Sequence, residues 1–395
     1  MKEAETEWIR EHLPLSEEDR KTVMVTLEAL KGNGGGLSGC MKVVNVCWPN
    51  DKALTFVIKN TSDNGFAQSK TLGLYREALF YQKFANEFQK ASIPLVKVYY
   101  AKGDADTGER TLMMEDLREK SVLSGYFFGS GSPLNWGRDL SEHLKRLPSP
   151  LTAFDVAKRT FQEAAKMHRR YWLDPSLLQH DWLRGRDWIQ GRNQESWEMA
   201  QRQGKESWMR TQKRIAESNC QVEWDQNLFD CMSAAMNSVD WKKFQSISGN
   251  RPWTLVHGDF HPGNIMWVFE PQGYPLMLDW EMVGLGNGAQ DLSQYLISHA
   301  NPDLRREIEE DLLRLYYDVL VDQTLPGNPE LSPGTYSYDQ CKHDYVEGGA
   351  RRWIWLLAIL CEMCPDSMNQ YFADQTAAFL RDHGLHKGNI GMPQV

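Results

Sequence analysis

Residues 255–284 read LVHGDFHPGNIMWVFEPQGYPLMLDWEMVG. Three short apolar runs, 254–256, 265–268 and 276–278, have the pattern of buried strands. The polar groups avoid those runs. His257, Asp259 and Asn264 fall in the turn between the first two, and Asp279 stands at the end of the third. Side chains presented on loops by a rigid scaffold are where chemistry concentrates, so this stretch is the first candidate for a functional site.

The rest of the chain sets the limits within which that stretch works. At 395 residues it is long enough for two domains or one large two-lobed unit. Hydrophobic residues make up 41% and charged residues 25%, the usage of a globular protein with a sizeable core. The 53 acids against 44 bases give a net charge of −9, and no dense Lys/Arg block occurs, which argues against a nucleic-acid partner. No run of about 18 apolar residues is present to span a membrane. The charged start MKEAETEWIREHLPLSEEDRK lacks the apolar core of a signal peptide, and a cytoplasmic protein is expected.

The 7 cysteines are scattered and odd in number, which fits a reducing compartment better than a disulfide framework. Cys361 and Cys364 form a C-x-x-C inside the apolar run RRWIWLLAILCEMCP and read as packing residues. The sequon at Asn60 carries no weight in a cytosolic protein.

A helix is expected over residues 14–30, capped near Ser16 and followed by the Gly cluster and strand pattern KGNGGGLSGCMKVVNVCW. ALTFVIKN reads as a second strand and LYREALFYQKFANEF as a helix with Tyr75, Leu79 and Phe80 on one side. LVKVYYAKGDADTGERTLMMEDL reads as a hairpin with its tip at 103–108. The order helix, β, β, helix, β, β makes residues 1–117 a small α+β lobe. Residues 118–395, with a Gly/Ser/Pro-rich segment at 121–150 and Trp-rich amphipathic stretches after it, read as a larger, mainly helical lobe.

Transfer of a phosphoryl group needs a carboxylate near the attacking hydroxyl and hard oxygen ligands for Mg²⁺, which keeps several of its waters. Asp259, Asn264 and Asp279 are such a set. The interval from Asp259 to Asn264 matches the H-x-D-x-x-x-x-N spacing of kinase catalytic loops. HGDFHPGN followed by LDWE resembles the catalytic and metal-binding signatures of the aminoglycoside phosphotransferase and choline kinase superfamily, with its ecdysteroid-kinase-like branch. GNGAQDLSQYL resembles that superfamily's G-x-x-x-x-D-L segment, with Asp291 as the matching acid. The FHPG filling is closer to the aminoglycoside-kinase style, and the branch stays open.

The resemblance implies a protein-kinase-like fold of class α+β, with a small β-rich first lobe that binds ATP and a helical second lobe that carries the catalytic loop, metal site and acceptor site. It implies Asp259 as catalytic residue, His257 as the residue that orients the loop, and Asn264 and Asp279 as Mg²⁺ ligands. Glu281 is either a partner of metal-bound waters or a solvated acid. In the first lobe it calls for a strand lysine held by a helix acid. Lys59, ending TFVIK, and Glu77, in LYREALF, stand in the right order, with Lys42 and Lys70 as nearby competitors.

Gly34, Gly36 and Gly39 match G-x-G-x-x-G, and because a strand rather than a helix follows, a β-turn-β loop over phosphates fits better than a dinucleotide fold. Ser38 adds a hydroxyl there. TLMMEDL resembles the strand and hinge that hold adenine, which places Met114, Glu115 and Asp116 at the base.

His261 with His257 invites a zinc reading, which Gly258 and Pro262 disfavour by excluding a helix between them. Trp172, Trp182, Trp188, Trp197, Trp208, Trp353 and Trp355 enrich the second lobe and suit either core packing or a cationic or flat acceptor. H-G-D and D-W-E stand where protein kinases have H-R-D and D-F-G, and no A-P-E occurs, so a small hydroxyl-bearing acceptor is expected rather than a protein. A nucleotide-binding pseudokinase or scaffold is the alternative. Its mark would be a missing lysine or acid, and none is missing.

Overall fold

A computed structural model describes residues 2–30, 39–50, 52–62, 64–269 and 273–394. Gly34, Gly36 and Ser38 lie outside the described residues, and Gly39 opens a strand. The chain divides into two compact units. The first takes in Met1–Ser121 together with Leu276–Val283, and the second takes in Val122–Pro275 and Gly284–Val395.

In the first unit five strands form one antiparallel sheet: β1 Met24–Ala29, β2 Gly39–Cys47, β3 Ala53–Thr61, β4 Val98–Gly103 and β5 Arg110–Glu115. Their spatial order is β1-β2-β3-β5-β4. The expected hairpin is present as β4 and β5. Its tip turns on Asp104, whose carboxylate accepts from the amides of Asp106 and Thr107, and on Gly108 at φ +79.

The helix expected over 14–30 is not formed. Ser16 caps a helix of only six residues, Glu17–Thr22, and the chain then enters β1. Val23, Val25 and Leu27 alternate toward the core while Met24 and Thr26 face out, and Val25 lies opposite Val46 of β2. The few helix breakers in VMVTLEAL are outweighed by a sheet edge that buries the β-branched face, a tertiary gain that local propensity does not contain.

The helix Arg76–Lys90 has no Gly or Pro in its interior, and Glu77, Ala78, Phe80, Tyr81, Phe84 and Phe88 make its buried stripe at helical spacing. Leu79 and Tyr75 are only half-buried.

The second unit is mainly helical, with long helices at Ala153–Arg170, Gln194–Ala216, Pro302–Leu320, Tyr338–Met363 and Asp366–Asp382. Thr254–Val256 pairs antiparallel with Gly284–Gly286, where the chain re-enters this unit. The third apolar run of the opening stretch forms its strand at Tyr274–Met277, slightly earlier than 276–278.

The helix Gly288–His299 is buried along its whole length. Small residues make that possible. A Cβ on Gly288 would sit 2.6 Å from His168 Nδ1, and one on Gly349 would sit 2.5 Å from Ser293. Trp172, Trp197, Trp208, Trp353 and Trp355 are buried in this unit and Trp182 and Trp188 half-buried, so packing accounts for most of the tryptophan. Cys361 is buried and unpaired, as packing requires. No helix among the described residues is long and apolar enough to cross a membrane.

Candidate active site

Lys59 lies on β3 opposite Leu112 of β5 and is 5% exposed. Its Nζ is 2.8 Å from Glu77 Oε2 and 2.7 Å from Asp279 Oδ1. Burial works against the ammonium charge, but Asp279 and Glu77 more than offset it and hold its pKa above the usual lysine value. Of the competitors, Lys42 pairs with Glu5 and Lys70 lies in the last turn of an exposed helix.

The same cluster contains a residue that the sequence did not single out. Arg110, 1% exposed at the start of β5, donates from one guanidinium nitrogen to Glu77 Oε2 at 2.8 Å and to Glu281 Oε2 at 2.7 Å. Two cations and three carboxylates thus alternate. Burial and the neighbouring Asp279 push the Glu281 carboxyl above the usual carboxylate range, against the pull of Lys59 and Arg110. Lysine at position 110 keeps the charge but is shorter, so its ammonium falls short of the point between the two acids that the guanidinium nitrogen occupies. Arg110→Lys is therefore expected to lower stability by about 1–3 kcal/mol. Chemical denaturation checks this, and an unchanged midpoint would mean that the two bonds carry no net stability.

Asp279 and Glu281 are presented by the residue between them. Trp280 is fully buried, stacks on Phe80 with ring centroids 3.9 Å apart at 11°, and donates from Nε1 to Met277 O at 3.1 Å. With the tryptophan fixed in the core, the acids on either side are fixed as well. Asp279 is held at φ +63, a left-handed backbone that aspartate tolerates better than most residues and that collects at functional sites. Carboxylate oxygens of Glu77, Asp279 and Glu281 lie within 4.8 Å of one another, the one metal-competent trio among the described residues. His257 and His261 do not form one.

Met114 is paired within the sheet, opposite Val57 and Val98, and the Glu115 amide donates to Lys97 O at 2.9 Å. The Glu115 N–H is therefore already committed. Asp116, just beyond the strand, takes the Arg118 guanidinium on its carboxylate.

In the second unit the loop after Thr254–Val256 is built from its backbone outward. Gly258 sits at φ +78, where a side chain would be strained, which explains a glycine between His257 and Asp259. Asp291, fully buried on the helix Gly288–His299, accepts from the His257 amide at 2.8 Å and the Gly258 amide at 3.2 Å. Arg352, from the helix Tyr338–Met363, donates to Gly258 O at 2.9 Å. His257 is buried, and its Nδ1 accepts the Asp259 amide at 3.3 Å.

The Asp259 carboxylate is held on both oxygens. Gln294 Nε2 donates to Oδ1 at 2.9 Å, Asn264 Nδ2 donates to Oδ2 at 3.1 Å, and His261 Nε2 lies 3.6 Å from Oδ2. Burial alone would raise this acid, yet His261, His257 and Arg352 outweigh it and hold the carboxyl well below the usual carboxylate range. Asp259 is thus an anion that positions and accepts hydrogen bonds.

Asn264 also donates through Nδ2 to Asp259 O at 3.0 Å, which leaves its Oδ1, engaged in neither bond, as a hard oxygen donor. A neutral amide oxygen and a carboxylate are each donor types that Mg²⁺ takes.

Gln294 and Arg352 were not legible from motifs. The one available signal was register, since Gln294 follows Asp291 by three residues on a helix and shares its face.

A model of the phosphotransferase enzyme family matches residues 55–323, more than half of the chain. No curated protein matches in sequence. Among solved structures, choline kinase from Cryptosporidium parvum is similar at a TM-score of 0.51 and 10% identity, over 97% of this chain and 96% of that one. Choline kinase LicA from Streptococcus pneumoniae has a TM-score of 0.46 and 12% identity, over 96% of this chain and 99% of that one. The first of these likenesses supports a two-lobed kinase-like fold, with the antiparallel sheet in the small lobe.

Proposed function

The chain belongs to the phosphotransferase enzyme family, and from that premise we propose that it transfers the γ-phosphoryl group of ATP to a hydroxyl of a small molecule with Mg²⁺. The observation that carries the proposal is Lys59, a buried cation gripped by Glu77 at 2.8 Å and Asp279 at 2.7 Å, two acids from separate segments of the chain. Charges this deeply buried are costly to hold, and such perturbed clusters concentrate where a protein does chemistry.

In this reading Lys59, kept in place by Glu77, grips the nucleotide phosphates, and Met114, Glu115 and Asp116 border the base. Asp259 orients the acceptor hydroxyl and takes up its hydrogen bond, while His257 and Asp291 hold the loop that carries it. Asn264 and Asp279 are the proposed ligands of Mg²⁺, which when bound neutralises charge on the phosphates. Positioning and charge neutralisation supply most of the acceleration in such reactions.

The test incubates purified protein with Mg²⁺–ATP and a pool of alcohols, amino alcohols, sugars, aminoglycosides and sterols. Mass spectrometry then seeks products heavier by one phosphoryl unit. Asp259→Asn runs alongside, and product is expected only with the parent protein. Product formed equally by the variant would remove Asp259 from the mechanism, and failure to bind nucleotide at all would end the proposal.

A further inference from the structure

We propose that Gln294 is a positioning residue of this reaction, fixing the rotation of the Asp259 carboxylate so that one defined lone pair is offered to the acceptor hydroxyl. The inference rests on the phosphotransfer reading above and deepens it. The helix Gly288–His299 grips the loop at two levels from one face. Asp291 takes the backbone amides of His257 and Gly258, and three residues later Gln294 reaches the side chain itself, 2.9 Å from Asp259 Oδ1.

Asn264 bonds the other oxygen, Oδ2, at 3.1 Å, so each carboxylate oxygen accepts one amide donor and the plane of the group is set. Oδ1 keeps a further lone pair for a ligand, while His261 Nε2 stands 3.6 Å from Oδ2. Without Gln294, Oδ1 would lose its amide donor and the carboxylate would be held only through Oδ2, by Asn264 with His261 nearby, and Asn264 is also a proposed metal ligand. Orientation of the acid and occupation of the metal site would then become one event instead of two.

Packing alone does not explain a glutamine here. Gln294 is 2% exposed, and its Oε1 is buried with no hydrogen-bond partner among the described residues. Leucine or methionine would fill comparable space without that desolvation cost. A neutral carboxamide also suits the role better than lysine or arginine, since it orients the carboxylate without adding a competing charge.

The experiment compares the parent with Gln294→Leu and the isosteric Gln294→Glu in the assay above, over a range of ATP concentrations up to saturation and with the same acceptor pool. Gln294→Leu is expected to lower the initial rate roughly tenfold to hundredfold, with the half-saturating ATP concentration unchanged within about twofold. Gln294→Glu sets a second carboxylate against Asp259 and is expected to lower the rate further.

Rates within about twofold of the parent in both variants would overturn the proposal. So would a rate loss that tracks a fall in thermal midpoint and a change in nucleotide saturation. A parent that forms no product sinks the phosphotransfer reading, and the role of Gln294 falls with it. An active parent with unaffected variants removes Gln294 alone.

Discussion

Asp279→Asn is expected to lower phosphoryl transfer by about three orders of magnitude or more while leaving the protein folded. Asparagine is nearly isosteric and, like aspartate, accepts the left-handed backbone found at this position, φ +63. Its Oδ1 can still receive the Lys59 ammonium, now 2.7 Å from Asp279 Oδ1. What disappears is one negative charge, and with it the carboxylate proposed for Mg²⁺. The protein should stay folded with a lowered thermal midpoint, since buried Lys59 loses one of its two acids, while Mg²⁺-dependent nucleotide binding weakens and product formation is lost. Activity retained at the parental level would show that the metal is held elsewhere and that Asp279 serves Lys59 only as a structural counter-ion.

Trp280→Ala acts on the same segment through packing. The indole is fully buried, face to face with Phe80 at 3.9 Å and edge-on to Phe88 at 5.6 Å and 89°. Removing a buried Trp of this kind leaves a cavity and costs about 3–5 kcal/mol. Urea unfolding followed by fluorescence of the remaining tryptophans should show that loss, with Trp280→Phe recovering part of it. A change below about 1 kcal/mol would mean that the site collapses around the gap and that Trp280 does not hold Asp279 and Glu281 in place. Unlike Asp279→Asn, this variant should lose turnover through a loss of packing with every charge retained.

These two variants separate what the residues 279–281 do, and they also mark how far the sequence could be read. The spacing of HGDFHPGN and LDWE located the acids, and the order of Lys59 and Glu77 was visible because each ends or opens a recognisable element. The hairpin at 98–115 and the helix at 76–90 followed from period and turn chemistry. The first strand did not. Met24–Ala29 is made of residues that suit a helix nearly as well, and its pairing with β2 decides the matter.

Among the charged groups the division is sharper. That position 59 carries a lysine and position 279 an aspartate is fixed by the sequence alone. That Lys59 rather than Lys42 meets Glu77, that Arg110 joins Glu77 to Glu281, and that Gln294 reaches Asp259 are products of the tertiary structure. Those partners are 18, 33, 171 and 35 residues apart in the chain, counting Lys59 to Glu77, Arg110 to Glu77, Arg110 to Glu281 and Gln294 to Asp259. No local pattern encodes such distances. The strength of a charge contact depends on how much water the surrounding packing removes, and that is a property of the folded chain, which no short stretch of residues contains.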